Sequence, residues 1–227
     1  MKILFVTNET KNYHSNWDKN KMPSCDNIRE LQSVKDLLTK YDRQSGFAKD
    51  LYKGNSWNSV LKVKELSKNI DIKIISSMFG LIDFEKRIIP YNCLFSNFQS
   101  SELVKRAKTL QIENSLVELL KKSQKYDLIY ISLGSKYLQT IGEINQYLDY
   151  TDELVVFKPY TKIEGNLIQL KSNDFVGNLS INVSTPIGPL MTATNNIFLN
   201  FIQYYSEHGI IDFIDWLDII HFDVNRD

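Results

Sequence analysis

The chain has 227 residues, of which 43% are hydrophobic and 24% are charged, a composition typical of a globular protein with one large domain. It contains no run of 18 apolar residues, which excludes a transmembrane helix. The apolar run within its first ten residues, MKILFVTNET, is only about four residues long, which argues against a signal peptide. Together these features favour a cytoplasmic protein with no membrane partner. The formal net charge is zero, but residues 1–136 contain 23 Lys+Arg against 15 Asp+Glu, whereas residues 137–227 contain 4 against 12.

Four compact apolar runs predict β-strands that are buried on both faces of a parallel sheet. Each run ends at a residue that disfavours strand continuation: Asn8, Gly80, Gly134 and Pro159. The predicted strands are residues 2–7, 71–78, 127–133 and 153–158.

Helical periodicity fills the intervals between these strands. Ser56 and Ser135 stand where two of the helices begin and are candidate N-caps. The alternation of strand and helix predicts an α/β fold with a mostly parallel central sheet flanked by helices. The predicted helices are residues 27–40, 56–68, 101–123 and 135–149.

The last third of the sequence is less regular. Residues 160–191 contain three glycines and two prolines, which favours an antiparallel extension or long loops. Residues 192–221 give two aromatic-rich helical stretches broken at Gly209, which we expect to pack on the domain or on another subunit. We therefore assign residues 1–160 to the α/β domain that carries the site. Residues 161–227 form an irregular and helical extension packed on the same domain.

The two cysteines do not predict a cross-link. Cys25 and Cys93 are 68 positions apart without CxxC spacing, and His14, His208 and His221 are scattered. This pattern favours reduced thiols over a disulfide or a zinc site. We expect no metal and no cofactor.

Polar residues follow each predicted strand. In an open parallel sheet, ligands bind beyond the carboxyl ends of the strands, so Thr7-Asn8-Glu9, Ser76-Ser77 and the residues of 132–137 and 158–160 should meet at one edge. The helix start at Gly134-Ser135 is suited to a phosphate or a carbonyl oxygen. The plainer alternative is that these residues are only turns and helix caps.

Three stretches carry a family resemblance: AKDLYKG at 48–54, ISSMFGLIDFEKRIIPYN at 75–92 and YDLIYISLGSKYLQTI at 126–141. Together they resemble the YaaA-like domain of bacterial peroxide-stress proteins. They are more similar to its stand-alone and phage-associated relatives and to those fused to tRNA-guanine-transglycosylase-type enzymes. The family pattern has Ala-x-x-Leu-Tyr-x-Gly, Ser-Ala-x-Tyr-Gly-Leu, Ile-x-Pro-Tyr-Asp and Leu-Gly-x-x-Tyr in the same order.

The sequence departs from that family pattern at several positions. The first strand ends in Thr7-Asn8-Glu9 where the family has a Cys-Ser-Lys-type turn, Ser77 replaces Ala, and Phe79 replaces Tyr. Asn92 stands where the family has Asp. An amide has no useful pKa for general-base catalysis, although it can position water or read a base edge.

The resemblance implies a uracil-DNA-glycosylase-like fold and hydrolysis of the N-glycosidic bond of a base in DNA, with a modified base favoured, in base modification, repair or phage defence. Such chemistry needs a stabilised sugar cation, an activated water and groups that hold the flipped base. We assign catalytic roles to Asp50, Glu9 and Tyr91. We assign substrate-binding roles to Thr7, Asn8, Tyr52, Lys53, Ser76, Ser77, Phe79, Asn92, Gly134, Ser135 and Tyr137.

The expected partner is DNA, including modified or single-stranded DNA. The basic excess of residues 1–136 favours a polyanion-binding surface, and Lys outnumbers Arg by 22 to 5, which favours backbone phosphate contacts. The alternative is that the two oppositely charged parts attract each other within one fold or between subunits. We assign contacts with the nucleic-acid backbone to Lys49, Lys86, Arg87 and Lys136.

The sequence is also compatible with two other functions. The first is a nucleic-acid or nucleotide binding module without chemistry, which the Asn at position 92 favours. The second is a nucleotide-processing or base-transferring enzyme that uses the Gly134-Ser135 helix start for a phosphate.

Overall fold

The computed structural model of the protein describes residues 1–10, 12–13, 22–25, 31–176, 183, 187 and 190–220. Its β-strands, in chain order, are β1 (Ile3–Asn8), β2 (Asn12–Tyr13), β3 (Gly46–Phe47), β4 (Tyr52–Lys53), β5 (Ile70–Ser76), β6 (Gly80–Asp83), β7 (Arg87–Ile88), β8 (Tyr126–Ser132), β9 (Thr151–Phe157), β10 (Lys162–Glu164) and β11 (Leu167–Leu170).

The central sheet has seven strands in the order β10-β11-β9-β8-β1-β5-β6. The pairs formed by the five inner strands are all parallel, and both edge strands pair antiparallel. The mostly parallel sheet is therefore confirmed, and each of the four predicted strands agrees with β1, β5, β8 or β9 to within two residues.

The inner strands reverse their order between β1 and β8. The chain passes from β1 to β5 on one side and then crosses to β8, β9 and β11 on the other. In open α/β sheets such a reversal opens a crevice outside the carboxyl ends of the two strands, where ligands usually bind. The topology therefore points to the ends of β1 and β8, near Asn8 and Ser132.

The α-helices are α1 (Leu31–Lys40), α2 (Ala48–Leu51), α3 (Asn55–Leu66), α4 (Ser100–Thr109), α5 (Ile112–Lys122), α6 (Ser135–Leu138), α7 (Leu190–His208) and α8 (Phe213–Ile219). Residues 27–30 of the first predicted helix lie outside the described residues. Neither predicted serine cap is an N-cap: the N-caps of α3 and α6 are Gly54 and Gly134.

Two predicted helices are interrupted. The single helix predicted for residues 101–123 is wrong, because Gln111 takes a left-handed conformation (φ 52°) between α4 and α5. The buried side chains of Leu110 and Ile112 flank this break, so burial on both sides offsets the backbone strain. The helix predicted for 135–149 is also wrong, since α6 ends at Leu138 and a 3₁₀ segment covers Ile144–Tyr150.

The C-terminal part is joined to the domain. Strands β10 and β11 continue the central sheet next to β9. Helix α7 packs on the sheet through Phe198, whose ring centroid is 4.4 Å from those of both Phe5 and Tyr130. The aromatic residues of α8, Phe213 and Trp216, pack against Phe201. None of the helices in the described ranges is long and apolar enough to cross a membrane.

Gly80 turns the chain from β5 into the antiparallel strand β6. It has φ 75°, and a Cβ atom there would lie 2.8 Å from the backbone oxygen of Leu110. A side chain at this position would meet both backbone strain and a rigid carbonyl. The turn is also closed by Ser76, whose Oγ accepts hydrogen bonds from the N–H groups of Met78 (3.2 Å) and Phe79 (3.1 Å).

The expectation of two reduced thiols is wrong in this structure. Cys25 and Cys93 form a disulfide with a Cα–Cα distance of 5.0 Å. Asn92 N–H donates to the carbonyl of Pro23 (2.8 Å), and Ser24 forms a β-bridge with Asn92. The separation of 68 positions hid this contact, because the fold rather than local spacing brings the two segments together.

We predict that loss of this disulfide destabilises the fold. Cys93→Ser should lower the free energy of unfolding by about 4 kcal/mol, since the cross-link restricts a long loop in the unfolded chain. Urea titrations of both proteins, with and without a reductant, measure the effect. The two proteins should converge under reducing conditions, and a wild-type midpoint that does not respond to reductant would contradict the prediction.

Candidate active site

A cavity of about 690 Å³ opens at the carboxyl ends of β1, β8 and β9. It lies at the reversal of strand order, as the topology indicates. Its polar lining consists of hydroxyl and amide groups and two lysines, and none of the described residues that line it carries a carboxylate. The lining residues are Thr7, Asn8, Ser56, Ser96, Ser132, Leu133, Gly134, Ser135, Lys136, Tyr137, Leu138, Phe157, Lys158, Pro159, Ser172, Thr194 and Asn195.

The floor of this cavity is cross-linked by hydrogen bonds between distant elements. Ser132 at the end of β8 donates to Asn195 Oδ1 on α7 (2.5 Å) and lies 2.7 Å from Thr194 Oγ1. Asn195 Nδ2 donates to Ser56 Oγ on α3 (2.8 Å). Because buried polar groups are paired in this way, the cavity has a fixed floor.

Glu9 follows β1 directly, and its side chain is only 3% exposed. The carboxylate accepts hydrogen bonds from Ser77 N–H (3.0 Å), from the Tyr137 hydroxyl (2.7 Å) and from the Tyr91 hydroxyl. The Tyr91 hydroxyl oxygen in turn lies 2.6 Å from the Tyr52 hydroxyl oxygen and 2.8 Å from Ser76 Oγ. We call these six residues, Glu9, Tyr52, Ser76, Ser77, Tyr91 and Tyr137, the Glu9 network.

Burial raises the pKa of Glu9 above its ordinary value of 4.5, because the charged form loses its hydration. The hydrogen bonds from Ser77, Tyr91 and Tyr137 favour the charged form and oppose this rise. A carboxyl group with such a pKa is able to take up and release a proton closer to neutral pH than an exposed one.

The surrounding tyrosines remain protonated. Burial raises the pKa of Tyr52, Tyr91 and Tyr137, and the nearby Glu9 charge raises each of them further. Tyr13 packs with its ring centroid 5.4 Å from that of Tyr91, and its pKa is raised mainly by burial as well. These hydroxyls therefore act as hydrogen-bond donors and relays, and Glu9 is the group in the network that is able to act as a base.

Tyr137 connects the Glu9 network to the cavity. It lines the cavity, and its hydroxyl donates to Glu9 Oε1. Thr7 and Asn8 line the same cavity one and two positions before Glu9. Asn8 also accepts from Gly134 N–H (3.3 Å), which fixes the end of β1 against the start of α6.

The backbone carbonyl of Ser77 accepts a hydrogen bond from a buried arginine. Arg106 on α4 donates through Nε to the carbonyl of Ser77 (2.6 Å) and through Nη1 to the carbonyl of Cys25 (3.1 Å). Ser77 Oγ donates to the carbonyl of Cys93 (2.8 Å). The disulfide and Arg106 thus hold the turn whose N–H group binds Glu9.

The structure brings together most of the residues predicted for the site. The Glu9 network contains six of them: Glu9, Tyr91, Tyr52, Ser76, Ser77 and Tyr137. Phe79 packs edge-on against Tyr91, with ring centroids 5.3 Å apart. The cavity brings together Thr7, Asn8, Gly134, Ser135, Lys136 and Tyr137.

Other predicted residues lie elsewhere, without a described contact to Glu9 or the cavity. Asp50 is exposed on α2 and Lys53 pairs with Asn12 in a two-stranded sheet. Asn92 is exposed beside the segment of Cys25. Of the residues predicted to contact the nucleic-acid backbone, Lys86 lies in the turn between β6 and β7 and Arg87 begins β7, whereas Lys49 is on α2 and its N–H donates to the carbonyl of Phe84 in that turn.

The sequence did not predict a site role for Arg106, Thr194 or Asn195. Arg106 shares a helical face with the buried residues Leu103, Ala107 and Leu110. A charged residue on an otherwise apolar helical face indicates a buried side chain that forms an ion pair or hydrogen bonds. Thr194 and Asn195 lie on a helix that is distant in sequence from the strand ends, and no local pattern marks them.

A comparison with protein-family models and with curated proteins finds no match for this chain. The YaaA-like resemblance therefore stays a prediction, and the chemistry of the site rests on its geometry.

We predict that Glu9 lowers stability at neutral pH. Because the folded protein holds this proton more tightly than the unfolded chain does, stability falls as pH rises from 4.5 to the folded pKa. Glu9→Gln removes the titration, so its free energy of unfolding relative to wild type should rise over this range by at most about 1.4 kcal/mol per pH unit. Urea titrations between pH 4 and pH 8 measure the difference.

The glutamine fits this position because hydroxyl groups are able to reverse their hydrogen bonds. Its amide nitrogen donates to Tyr91, which then donates to Ser76 or Tyr52. The control is Glu65→Gln at an exposed position of α3, which measures the effect of the same exchange away from the Glu9 network. A difference between Glu9→Gln and wild type that does not change with pH would contradict the prediction.

Proposed function

We propose that the protein is a DNA-glycosylase-like hydrolase that cleaves the N-glycosidic bond of a base in DNA, with a modified base favoured. The proposal rests on one observation about Glu9, which directly follows the central strand β1. Its buried carboxylate accepts hydrogen bonds from tyrosines and lies beside a polar cavity at the reversal of strand order. Base modification, repair or phage defence is the proposed context. A uracil-DNA-glycosylase-like fold is part of the same proposal, supported by the parallel inner strands.

In this mechanism Glu9 is the general base. The bond between the base nitrogen and C1′ of the sugar breaks, and its electron pair leaves with the base, which takes up a proton from solvent. A water attacks C1′, and its proton passes through the Tyr137 hydroxyl to Glu9, whose negative charge also stabilises the sugar cation. The tyrosine relays the proton without ionising, in keeping with its raised pKa.

The cavity supplies the groups that hold the extruded nucleotide. Asn8 and the hydroxyls of Ser132, Ser135 and Thr194 are able to bind a base edge and sugar oxygens. Phe79, assigned to substrate binding, and Tyr91, assigned a catalytic role, lie on the Glu9 side rather than in the cavity lining. In this proposal they exclude water from around the carboxylate.

We predict that base release depends on Glu9. Incubation of the protein with DNAs that contain normal and modified bases should produce abasic sites and free bases, scored by mass spectrometry. Glu9→Gln should lower the rate by about 100-fold or more. Tyr137→Phe should lower it by a similar factor, because it interrupts the proton relay to Glu9, and Tyr91→Phe should lower it less, because it removes one hydrogen bond to the carboxylate.

The controls separate this assignment from others. Glu153 is also buried, but it caps α8 through the N–H groups of Phe213 (2.6 Å) and Ile214 (3.0 Å), so Glu153→Gln should retain base release in the folded protein. Asp50→Asn decides the sequence-based catalytic role of Asp50, for which the exposed position gives no support. Equal rates for wild type and Glu9→Gln would rule out Glu9 as the base.

A specific observation favours a second function, a nucleic-acid or nucleotide binding module without chemistry. The Glu9 carboxylate already accepts three hydrogen bonds from described residues and is nearly inaccessible. A purely structural carboxylate would have the same contacts. Salt-sensitive DNA binding without any released base would support this second function.

A further inference from the structure

The cavity at the ends of β1 and β8 has the chemical character of an anion site. Its lining has a formal charge of +2, from Lys136 and Lys158, together with many hydroxyl groups. Hydroxyls and ammonium groups suit a ligand that carries both a phosphate and a sugar. The cavity volume of about 690 Å³ lies within the usual range for small-molecule sites.

Neither lysine of the cavity is neutralised by a described carboxylate. Lys136 Nζ donates to the backbone carbonyl of Phe98 (2.8 Å), which uses one of its three donors. Lys158 is half-buried, and its ammonium group makes no hydrogen bond or ion pair with a described residue. Two partly desolvated cations in one cavity repel each other, and a bound anion would relieve that repulsion.

The other cations predicted to hold a DNA strand are placed differently. Lys49 pairs with Glu85 (3.0 Å) and Arg87 with Asp42 (3.9 Å). Lys49 is on α2 and Arg87 is on β7, and both elements adjoin the turn between β6 and β7. The register of β5 with β6 pairs Lys73 with Asp83 near that turn, whereas Ser76 pairs with Gly80 at the carboxyl end of β5. The charges of Lys49 and Arg87 are compensated, and they lie toward the amino end of β5.

The surface next to the cavity is unfavourable for a long phosphodiester chain. A second cavity of about 550 Å³ shares Ser135, Leu138 and Lys158 with the first and includes Glu143 and Glu164. Both carboxylates are exposed, and Glu164 forms an ion pair with Lys162. A strand that continued past Lys158 would place its next phosphates near the Glu143 carboxylate.

We propose that this cavity binds a single nucleotide, with Lys136 and Lys158 as the phosphate contacts, and that a nucleoside 5′-monophosphate fills the site without a flanking strand. The nucleobase part of this inference rests on the proposed function. The phosphate part rests on the two lysines and on the lack of a carboxylate among the described residues that line the cavity.

Isothermal titration calorimetry tests the proposal with the four standard 2′-deoxynucleoside 5′-monophosphates, the matching nucleosides and a single-stranded 12-nucleotide DNA. At least one monophosphate should bind at least 10-fold more tightly than its nucleoside. Lys158→Gln and Lys136→Gln should each remove most of that difference, whereas Lys158→Arg should retain it.

Lys162→Gln is the matched control, since Lys162 is half-buried on β10, like Lys158, forms an ion pair with Glu164 (2.5 Å) and does not line the cavity. It should leave the affinity unchanged. Equal affinity for monophosphate and nucleoside, no monophosphate binding at all, or an unchanged affinity in both cavity lysine variants would overturn the proposal.

The outcome is distinct from that of the base-release assay. Lysine-dependent monophosphate binding without base release from any DNA would support the nucleotide site and refute the glycosylase function. Base release from DNA by a protein that binds no monophosphate would refute the nucleotide site and leave the glycosylase function standing.

Discussion

The burial of one carboxylate, Glu9, constrains the rest of the site. A charged group 3% exposed at the end of a central strand is costly unless donors compensate it. The fold supplies those donors from three separate segments: the turn after β5 through Ser77, the segment after β7 through Tyr91, and α6 through Tyr137. Each segment must keep its position for the carboxylate to be tolerated.

Those positions depend in turn on features that are distributed along the chain. Gly80 permits the tight return from β5 to β6 that presents Ser77 N–H. Arg106 binds the carbonyl of Ser77, and the Cys25–Cys93 disulfide ties the segment after Tyr91 to residues 22–25. The stability of the turn and the geometry of the Glu9 carboxylate are therefore coupled through a few contacts.

The sequence was sufficient for the sheet and for the edge on which the site lies. Compact apolar runs marked β1, β5, β8 and β9, and their parallel arrangement follows from alternation with helices. The same logic placed Thr7, Asn8, Gly134 and Tyr137 at one edge. It depended on buried strands, for which the local pattern and the tertiary environment agree.

The sequence was insufficient wherever contacts between distant segments decide the local structure. The left-handed Gln111 carries no local signal for a break between α4 and α5, and helix propensity favours continuation. The disulfide joins segments 68 positions apart, and Asp50, grouped with the site because of the motif around it, is exposed. The spacing of residues along the chain does not show whether a side chain next to a turn faces the protein interior or the solvent.

The site has two parts with opposite physical character. The Glu9 network is buried and shielded by tyrosines, whereas the cavity is lined by hydroxyls and two lysines. A low-dielectric environment makes the proton affinity of the carboxylate sensitive to each hydrogen bond, while the open cavity tolerates exchange of water and ligand. Tyr137 belongs to both parts, because its hydroxyl binds Glu9 and the residue lines the cavity. A ligand in the cavity that displaces the Tyr137 side chain would weaken a hydrogen bond to Glu9 and so raise the proton affinity of that carboxylate.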